Sequence, residues 1–230
     1  MSASNERPII LVNGMGSNFD AQFGRTGLLD KLKAAGRTVI GVDLPGHGAS
    51  RDAVGTDAAD LVLNEASKHD SVDAIGFSAG AWAILLAASE KPDLFNRVAV
   101  MGAADMVVMN SLASDAMLKP VAEGLVADGA SSANPMIVML SEIIEDAGSD
   151  PEGVAGYLAS EKRFVTVEGL GDIKAKAFVV DGSGDMTGPS KIVAESIPGA
   201  ERMTLDDADH FDIPASEEAL AAVVSFIDAD

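Results

Sequence analysis

Ser78 is the residue whose surroundings most clearly indicate chemistry. It lies in Gly76-Phe77-Ser78-Ala79-Gly80, between an apolar run and an alanine-rich segment. Small residues two positions before and after a serine permit a strained turn from a strand into a helix, and this turn exposes the hydroxyl. Free N–H groups at the start of that helix favour negative charge on a substrate oxygen. The pattern predicts a nucleophilic serine; the alternative is a glycine-flanked serine that only caps the helix.

A serine hydroxyl needs a base to take its proton, and that base is usually histidine. The chain has three histidines. His69 ends a predicted surface helix, where we expect a solvated side chain. His47 lies in the glycine-containing loop Leu44–Gly48, where we expect the ring to brace the loop. His210, between the last predicted strand and the final predicted helix, is therefore the predicted base, and His47 is the alternative.

A carboxylate must hold the imidazole in the correct tautomer and stabilise its charged form. Asp185 follows the fifth predicted strand in the glycine-rich turn Asp181–Met186, ahead of a predicted helix. Asp105 follows the fourth predicted strand and could reach the same histidine from another position on the sheet edge. We predict Asp185 as the acid and retain Asp105 as the alternative.

These side chains need a scaffold, and the hydrophobic pattern indicates a sheet with helices between its strands. Unbroken apolar runs are typical of parallel strands that are buried on both faces. About six strands are predicted, at Pro8–Gly14, Arg37–Asp43, Ser71–Ser78, Arg97–Ala103, Lys176–Asp181 and Arg202–Leu205. Helices are predicted between and after them, at Leu28–Ala35, Ala58–Lys68, Ala79–Ser89, Pro189–Ser196 and Ala215–Ile227.

Residues 105–172, called the insertion below, interrupt this alternation with several helical stretches. Only Arg163–Val167 within them could be a strand, and Gly129–Pro135 and Gly148–Gly153 are predicted as loops. Methionines such as Met136 and Met139 suit an adaptable apolar surface, although ordinary helical core would also explain them. We predict a core domain of residues 1–104 and 173–230, with the insertion as a helical cap or lid.

Composition excludes several classes of function. The formal net charge is −20, from 16 basic and 36 acidic residues, and such a polyanion disfavours nucleic acid and membrane partners. The chain has no cysteine and only three histidines, so neither a disulfide framework nor a metal site is expected. The first eight residues lack the apolar region of a secretory signal. We expect a cytoplasmic monomer or homodimer.

Two motifs together resemble the α/β-hydrolase superfamily, in its branch with a serine nucleophile. The motifs are Gly-Phe-Ser-Ala-Gly around Ser78 and Asp-Leu-Pro-Gly-His-Gly-Ala-Ser from Asp43 to Ser50. The order Ser78, Asp185, His210 is similar to the family order of nucleophile, acid and base. The resemblance implies an α/β-hydrolase fold with a trimmed N-terminus, and a cap inserted after the fourth strand.

The resemblance also implies an oxyanion hole made of the backbone N–H groups of Ala79 and Met15. The family usually has His-Gly in the loop that carries the second donor, and Asn13-Gly14 departs from this pattern. The implied function is a cofactor-free serine hydrolase that cleaves small to medium, largely uncharged carboxylic esters. Alternatives are the same three residues acting on another bond, as in a carbon-carbon hydrolase, lactonase or thioesterase, and a hydrolase-like binding protein with little turnover.

Overall fold

A six-stranded parallel sheet organises the molecule. The computed structural model describes residues 7–109 and 115–229; the first six residues, residues 110–114 of the insertion and residue 230 lie outside the description. The described strands are β1 Ile9–Val12, β2 Val39–Val42, β3 Val72–Phe77, β4 Phe95–Met101, β5 Lys176–Gly182 and β6 Glu201–Leu205. They form one open sheet in the order β2-β1-β3-β4-β5-β6. The predicted fold class is confirmed.

Helices connect the strands and cover the sheet. In the core they are α1 Leu28–Ala34, α2 Ala58–Ala66, α3 Ala79–Glu90, α9 Lys191–Ser196 and α10 Glu217–Asp228. Between β4 and β5 lie α4 Asp105–Val108, α5 Asp115–Ala127, α6 Pro135–Ala147, α7 Pro151–Ala159 and α8 Val167–Gly171. The predicted core helices therefore exist, with ends that differ from the expectation by one or two residues.

The four inner strands, β1, β3, β4 and β5, bury side chains on both faces of the sheet, because successive residues point to opposite sides. Ile10 and Val12 pack into one cluster with α2, α3, α8 and α9. Ile9 and Leu11 pack into a second cluster with α1 and α10. Burial under both helix layers explains why the strands read as unbroken apolar runs rather than as alternating patterns.

Helix α3 is apolar around its whole circumference because it packs against the sheet, α2 and α8 at once. Nine of its 12 residues are buried. A helix with this much contact holds its first turn in a fixed position relative to β3. The residue that joins β3 to α3 is Ser78.

The insertion has a hydrophobic core of its own. Side chains of α5, α6 and α7 pack together, among them Val121, Ile137 and Val154. Helices α6 and α7 begin with proline, and the preceding Asn134 and Asp150 accept hydrogen bonds from the first turn. These caps fix where both helices start.

One predicted strand in the insertion is wrong. Residues 163–166 form no strand, and Val167 begins α8. The backbone N–H of Arg163 donates to the Asp57 carboxylate at 3.1 Å, and the Thr166 side chain caps α8. A strand needs the backbone of a neighbouring strand, and these groups have other partners. The predicted loop Gly148–Gly153 is also shorter than expected, since α7 begins at Pro151.

No helix within residues 7–109 and 115–229 is both long enough and apolar enough to cross a membrane.

Candidate active site

Ser78 lies on a strained turn at the carboxyl end of β3. Its φ of 52° and ψ of −118° are outside the regions that side-chain-bearing residues normally adopt. The turn is so tight that a Cβ at Gly76 would lie 2.7 Å from the Gly80 carbonyl oxygen. A Cβ at Gly80 would lie only 2.3 Å from the Val12 carbonyl oxygen. Both positions therefore require glycine. The N–H of Ser78 donates to the Met101 carbonyl at 2.9 Å, which ties the turn to β4.

The structure brings Ser78, His210 and Asp185 into one hydrogen-bonded chain. His210 Nε2 lies 3.0 Å from Ser78 Oγ, and His210 Nδ1 lies 2.8 Å from Asp185 Oδ2. Because a carboxylate can only accept, Nδ1 carries the proton and donates it, which leaves Nε2 free to accept from the serine hydroxyl. The side chains come from loops after β3, β5 and β6, whose carboxyl ends meet at one edge of the sheet.

Asp105, the alternative acid, has a different position. Its Oδ1 accepts a hydrogen bond from the N–H of Val193 in the first turn of α9 at 3.0 Å, and its own N–H donates to the Pro189 carbonyl. Asp105 therefore joins the start of α4 to the start of α9. Asp185, not Asp105, contacts His210.

Thr187 completes the environment of the Asp185 carboxylate. Its backbone N–H and its hydroxyl both donate to Asp185 Oδ1, each at 2.7 Å. Burial alone raises the pKa of Asp185, but hydrogen bonds from His210 and Thr187 favour the charged form and outweigh burial, so this pKa lies below its ordinary value. Asp185 is consequently ionised at neutral pH.

The His210 ring is held by packing as well as by hydrogen bonds. The Phe77 ring lies 4.8 Å from it, centroid to centroid, and the Phe211 ring meets it edge-on at 5.5 Å. A Cβ at Gly102 would lie 2.9 Å from His210 Cε1. Gly102, with a φ of +62°, thus leaves the space that the ring occupies.

The two predicted oxyanion donors, Ala79 and Met15, come from different elements. Ala79 is the first residue of α3, where a backbone N–H has no acceptor within the helix. Met15 lies in the loop after β1 and lines the cavity that Ser78 faces. Met15 and Ser78 thus line one cavity, and Ala79 follows Ser78 directly in the chain.

The other two histidines do not join this site. His47 is completely buried, and its ring nitrogens lie 2.9 Å from the Pro45 carbonyl oxygen and 2.9 Å from the Gly16 nitrogen. Burial lowers the pKa of His47 to about 4, so the ring is neutral at neutral pH. His69 follows α2 and lies 3.8 Å from Glu65. His47 therefore braces its own loop through Pro45, as predicted, and also holds the loop that contains Gly16.

A cavity opens beside Ser78 and His210. It encloses about 960 Å³, counting the part that is open to solvent. The side chains that line it are mostly apolar, and those from α5, α6 and α7 are Leu118, Met136, Met139, Leu140, Ile143 and Leu158. Lys162 is also at its wall, where its ammonium group donates to the Leu158 and Ser160 carbonyls.

No group of three or more histidine, aspartate or glutamate side chains within the described ranges is arranged to hold a metal ion. The polar side chains at the cavity floor, Ser78, His210 and Thr187, are instead engaged with one another or with Asp185. This arrangement suits transfer of a proton from the serine to the imidazole.

Comparison with protein families agrees with this geometry. A family model described as "Alpha/beta hydrolase family" matches residues 9–226. The chain belongs to the alpha/beta hydrolase family. A comparison with curated protein sequences finds no match.

Solved structures of the same fold cover nearly the whole of this alpha/beta hydrolase. MenH from S. aureus superposes with a TM-score of 0.75 at 15% identity, over 99% of this chain and 94% of that one. The esterase RhEst1 from Rhodococcus sp. ECU1013 gives 0.69 at 18% identity, over 100% and 93%. The enol-lactonase from Burkholderia xenovorans LB400 gives 0.67 at 19% identity, over 99% and 94%. At these identities the similarity establishes the fold alone.

Two residues that shape the site of this hydrolase, Thr187 and Gly102, are not among those predicted from the sequence. A threonine two residues after an aspartate is a local signal, because an aspartate side chain often accepts from the backbone two positions later. Nothing local identifies Gly102, since its role depends on a ring that is 108 positions away in the chain, at His210.

Proposed function

We propose that this alpha/beta hydrolase cleaves small to medium, largely uncharged carboxylic esters through an acyl-enzyme on Ser78. The observation that carries the proposal is the chain of two short hydrogen bonds from Ser78 through His210 to Asp185, which opens into an apolar cavity. No metal or organic cofactor is needed for this chemistry.

Acylation begins when Ser78 Oγ attacks the ester carbonyl carbon while His210 Nε2 takes the hydroxyl proton. The carbonyl π electrons move to the oxygen and give a tetrahedral oxyanion. When the oxyanion collapses, the ester C–O bond breaks and the alcohol leaves with the proton from His210. Asp185 stays ionised throughout and stabilises the imidazolium that forms between the two steps.

The N–H groups of Met15 and Ala79 would stabilise the oxyanion. Each such donor contributes about 3 kcal/mol to the lowering of the barrier in related chemistry. The Ala79 donor also benefits from the positive end of the α3 dipole. Deacylation repeats the sequence, with water in place of Ser78 and with His210 again as the base.

The cavity walls support the proposed substrate class. The insertion supplies Leu118, Met136, Met139 and Leu140, which favour an apolar acyl or alcohol group over a charged one. Lys162, the cation at the wall, already donates to two carbonyls, which makes it a poor partner for a substrate carboxylate. We propose that the insertion acts as the cap that forms this cavity.

The first test is hydrolysis of p-nitrophenyl esters from short to long acyl chains, with labelling of Ser78 by a fluorophosphonate followed by mass spectrometry. We expect turnover and labelling in the wild type and loss of both in Ser78→Ala. Asp185→Asn should lower kcat strongly, whereas the matched variant Asp105→Asn should keep it. The opposite ranking of the two variants would contradict the assignment of the acid.

Lactones belong in the same panel, because one structure of this fold is an enol-lactonase. Labelling of Ser78 without turnover of any ester would move the proposal to another bond, such as a lactone, a thioester or a carbon-carbon bond. Absence of labelling as well would favour a ligand-binding protein.

A further inference from the structure

Two buried side chains hold the loop that carries Met15 by hydrogen bonds to its backbone. The loop runs from Asn13 to Ser17 after β1. Asn13 is completely buried and belongs to this loop, whereas His47, also completely buried, belongs to the loop after β2. Their hydrogen bonds fall on either side of Met15.

Asn13 holds the peptide group that precedes Met15. Its Nδ2 donates to the Gly14 carbonyl at 2.9 Å and to the Ser17 carbonyl at 2.9 Å, while its Oδ1 accepts from the Leu44 N–H at 3.1 Å. The Gly14 carbonyl and the Met15 N–H belong to one planar peptide group and point in opposite directions. A bond that fixes the carbonyl therefore also fixes the direction of the Met15 N–H.

His47 holds the peptide group that follows Met15. The Gly16 N–H can only donate, so His47 Nε2 accepts from it at 2.9 Å, and Nδ1–H donates to the Pro45 carbonyl at 2.9 Å. This is the neutral form of the ring with the proton on Nδ1. The φ of Gly16 is +82°, and few other residues could follow Met15 with that backbone conformation.

The insertion closes the environment of His47. The Tyr157 ring of α7 meets the His47 ring edge-on at 5.4 Å. The backbones of Gly153 in α7 and Gly46 beside His47 lie so close that a Cβ on Gly46 would be 2.1 Å from the Gly153 carbonyl oxygen. The ring thus lies between α7 on one side and the Met15 loop on the other.

We propose that Asn13 and His47 are positioning residues that aim the Met15 N–H at the substrate oxyanion. The inference rests on the proposed function, since it assigns to these side chains the orientation of one oxyanion donor. It also explains how Asn13 serves at the position where related loops carry His-Gly. Asn13 fixes the donor's own peptide group, and His47 fixes the next one.

Two amide variants separate the two bonds of His47. In His47→Gln the side-chain carbonyl can take the place of Nε2 and accept from Gly16. In His47→Asn the shorter amide can take the place of Nδ1 and donate to Pro45, but it does not reach Gly16. We expect His47→Gln to keep kcat within about threefold of the wild type. We expect His47→Asn to lower kcat about 10- to 100-fold, with KM within about twofold. This loss is smaller than the loss of about 100- to 1,000-fold in kcat that follows removal of a whole oxyanion donor, because the Met15 N–H is misdirected rather than absent.

A purely structural role would not change affinity for the oxyanion selectively. A trifluoromethyl ketone, which forms a tetrahedral oxyanion with the serine, should bind His47→Asn less tightly by the same factor as kcat falls. The corresponding alcohol, which forms no oxyanion, should bind both variants equally. Equal loss in His47→Gln and His47→Asn, or a parallel loss of alcohol binding, would overturn the proposal.

Labelling of Ser78 by a fluorophosphonate separates this proposal from the proposed function, because it needs no ester turnover. The reaction also places a phosphoryl oxygen between the N–H groups of Met15 and Ala79, so its rate depends on the direction of the Met15 N–H. If the wild type is labelled but hydrolyses no ester, the ester assignment fails and the His47 pair is still decided by labelling rates. If His47→Asn does not fold, Asn13→Ala is measured in its place and should show the same loss. A wild type that is not labelled would overturn both proposals.

Discussion

Thr187 fixes the orientation of the Asp185 carboxylate, which in turn contacts His210. It donates two hydrogen bonds to Asp185 Oδ1, while Oδ2 remains for His210. The carboxylate therefore has one oxygen fixed by the loop and the other directed at the imidazole. This arrangement limits rotation of the Asp185 carboxylate and keeps its pKa below the ordinary value.

Replacing Thr187 by valine removes the hydroxyl and keeps the shape of the side chain. The backbone N–H bond to Asp185 remains and still holds the carboxylate. We therefore expect kcat/KM to fall about three- to tenfold, which is less than the full loss of a hydrogen bond to a charged group, about 1.5 to 3 kcal/mol, would cause. The pKa of Asp185 should rise, since a bond to its charged form is lost. Steady-state kinetics at neutral pH, with thermal unfolding as the control for folding, would measure the fall in kcat/KM. An unchanged rate would mean that the backbone bond suffices.

His47 makes stability depend on pH. Its pKa in the folded protein is about 4, below the value of about 6.5 in an unfolded chain. The unfolded state therefore binds more protons between these two values, and the contribution of His47 to stability falls as the pH drops from about 6.5 towards 4. Above pH 6.5 the ring is neutral in both states and this contribution is constant.

The matched variant His47→Gln has no titrating ring at this position. We expect the free energy of unfolding of the wild type, relative to that of His47→Gln, to fall by about 2 to 3 kcal/mol between pH 7.5 and pH 4.5. Urea unfolding at both pH values would measure the difference. Parallel curves for the two proteins would mean that folding does not lower the pKa of His47.

At the scale of elements, the position of the nucleophile depends on how closely α3 passes the first strand. A Cβ at Gly80 would lie 2.3 Å from the Val12 carbonyl oxygen and 2.5 Å from that of Asn13. Both contacts are with backbone, which cannot move aside as the end of a flexible side chain can. The start of α3 and the end of β1 are thus held at a distance that only glycine allows.

Gly80→Ala should therefore lower the free energy of unfolding by at least about 2 kcal/mol, as overpacking of a well-packed core does. It should also lower kcat, since the first turn of α3 carries the Ala79 donor. Gly171→Ala is the matched control, because a Cβ there meets nothing within 4 Å and should leave stability unchanged or raise it by up to about 1 kcal/mol. Equal unfolding midpoints for the two variants would contradict the close approach.

The sequence predicted best those elements whose hydrophobic pattern arises from burial alone. Strands such as Ile9–Val12 and Val72–Phe77 are buried at every position, and mostly apolar, because helices cover both faces of the sheet. Arg163–Val167 has β-branched and aromatic residues too, but its backbone bonds to Asp57 and its end caps α8. Propensity alone does not show whether a segment has a neighbouring strand.

The residues of the candidate site also differ in how well the sequence predicts them. Ser78 is evident from its glycines, and His210 and Asp185 follow from their places after strands at one sheet edge. The bond between His47 and Gly16 joins two loops that are 31 positions apart in the chain. Only the packing of those loops brings the two groups to 2.9 Å, so no local pattern could predict it.

At the scale of the whole molecule, the formal net charge is −20. The cavity beside Ser78, in contrast, has mostly apolar walls. The negative field repels an anionic ester before it reaches Ser78, and has little effect on a neutral one. Salt weakens this repulsion, because the screening length falls from about 30 Å at 0.01 M ionic strength to about 3 Å at 1 M. Selectivity for uncharged substrates should therefore depend on salt.

The pair of 4-nitrophenyl butyrate and its 3-carboxy derivative tests this prediction, since the two differ by one negative charge on the leaving group. Raising the ionic strength from about 0.01 M to about 0.5 M should increase kcat/KM for the anion about three- to tenfold relative to the neutral ester. The neutral ester is the internal control for effects of salt on folding and on the chemical step. Faster hydrolysis of the anion than of the neutral ester at low salt would mean that a local cation, such as Lys162 at the cavity wall, outweighs the field of the whole protein.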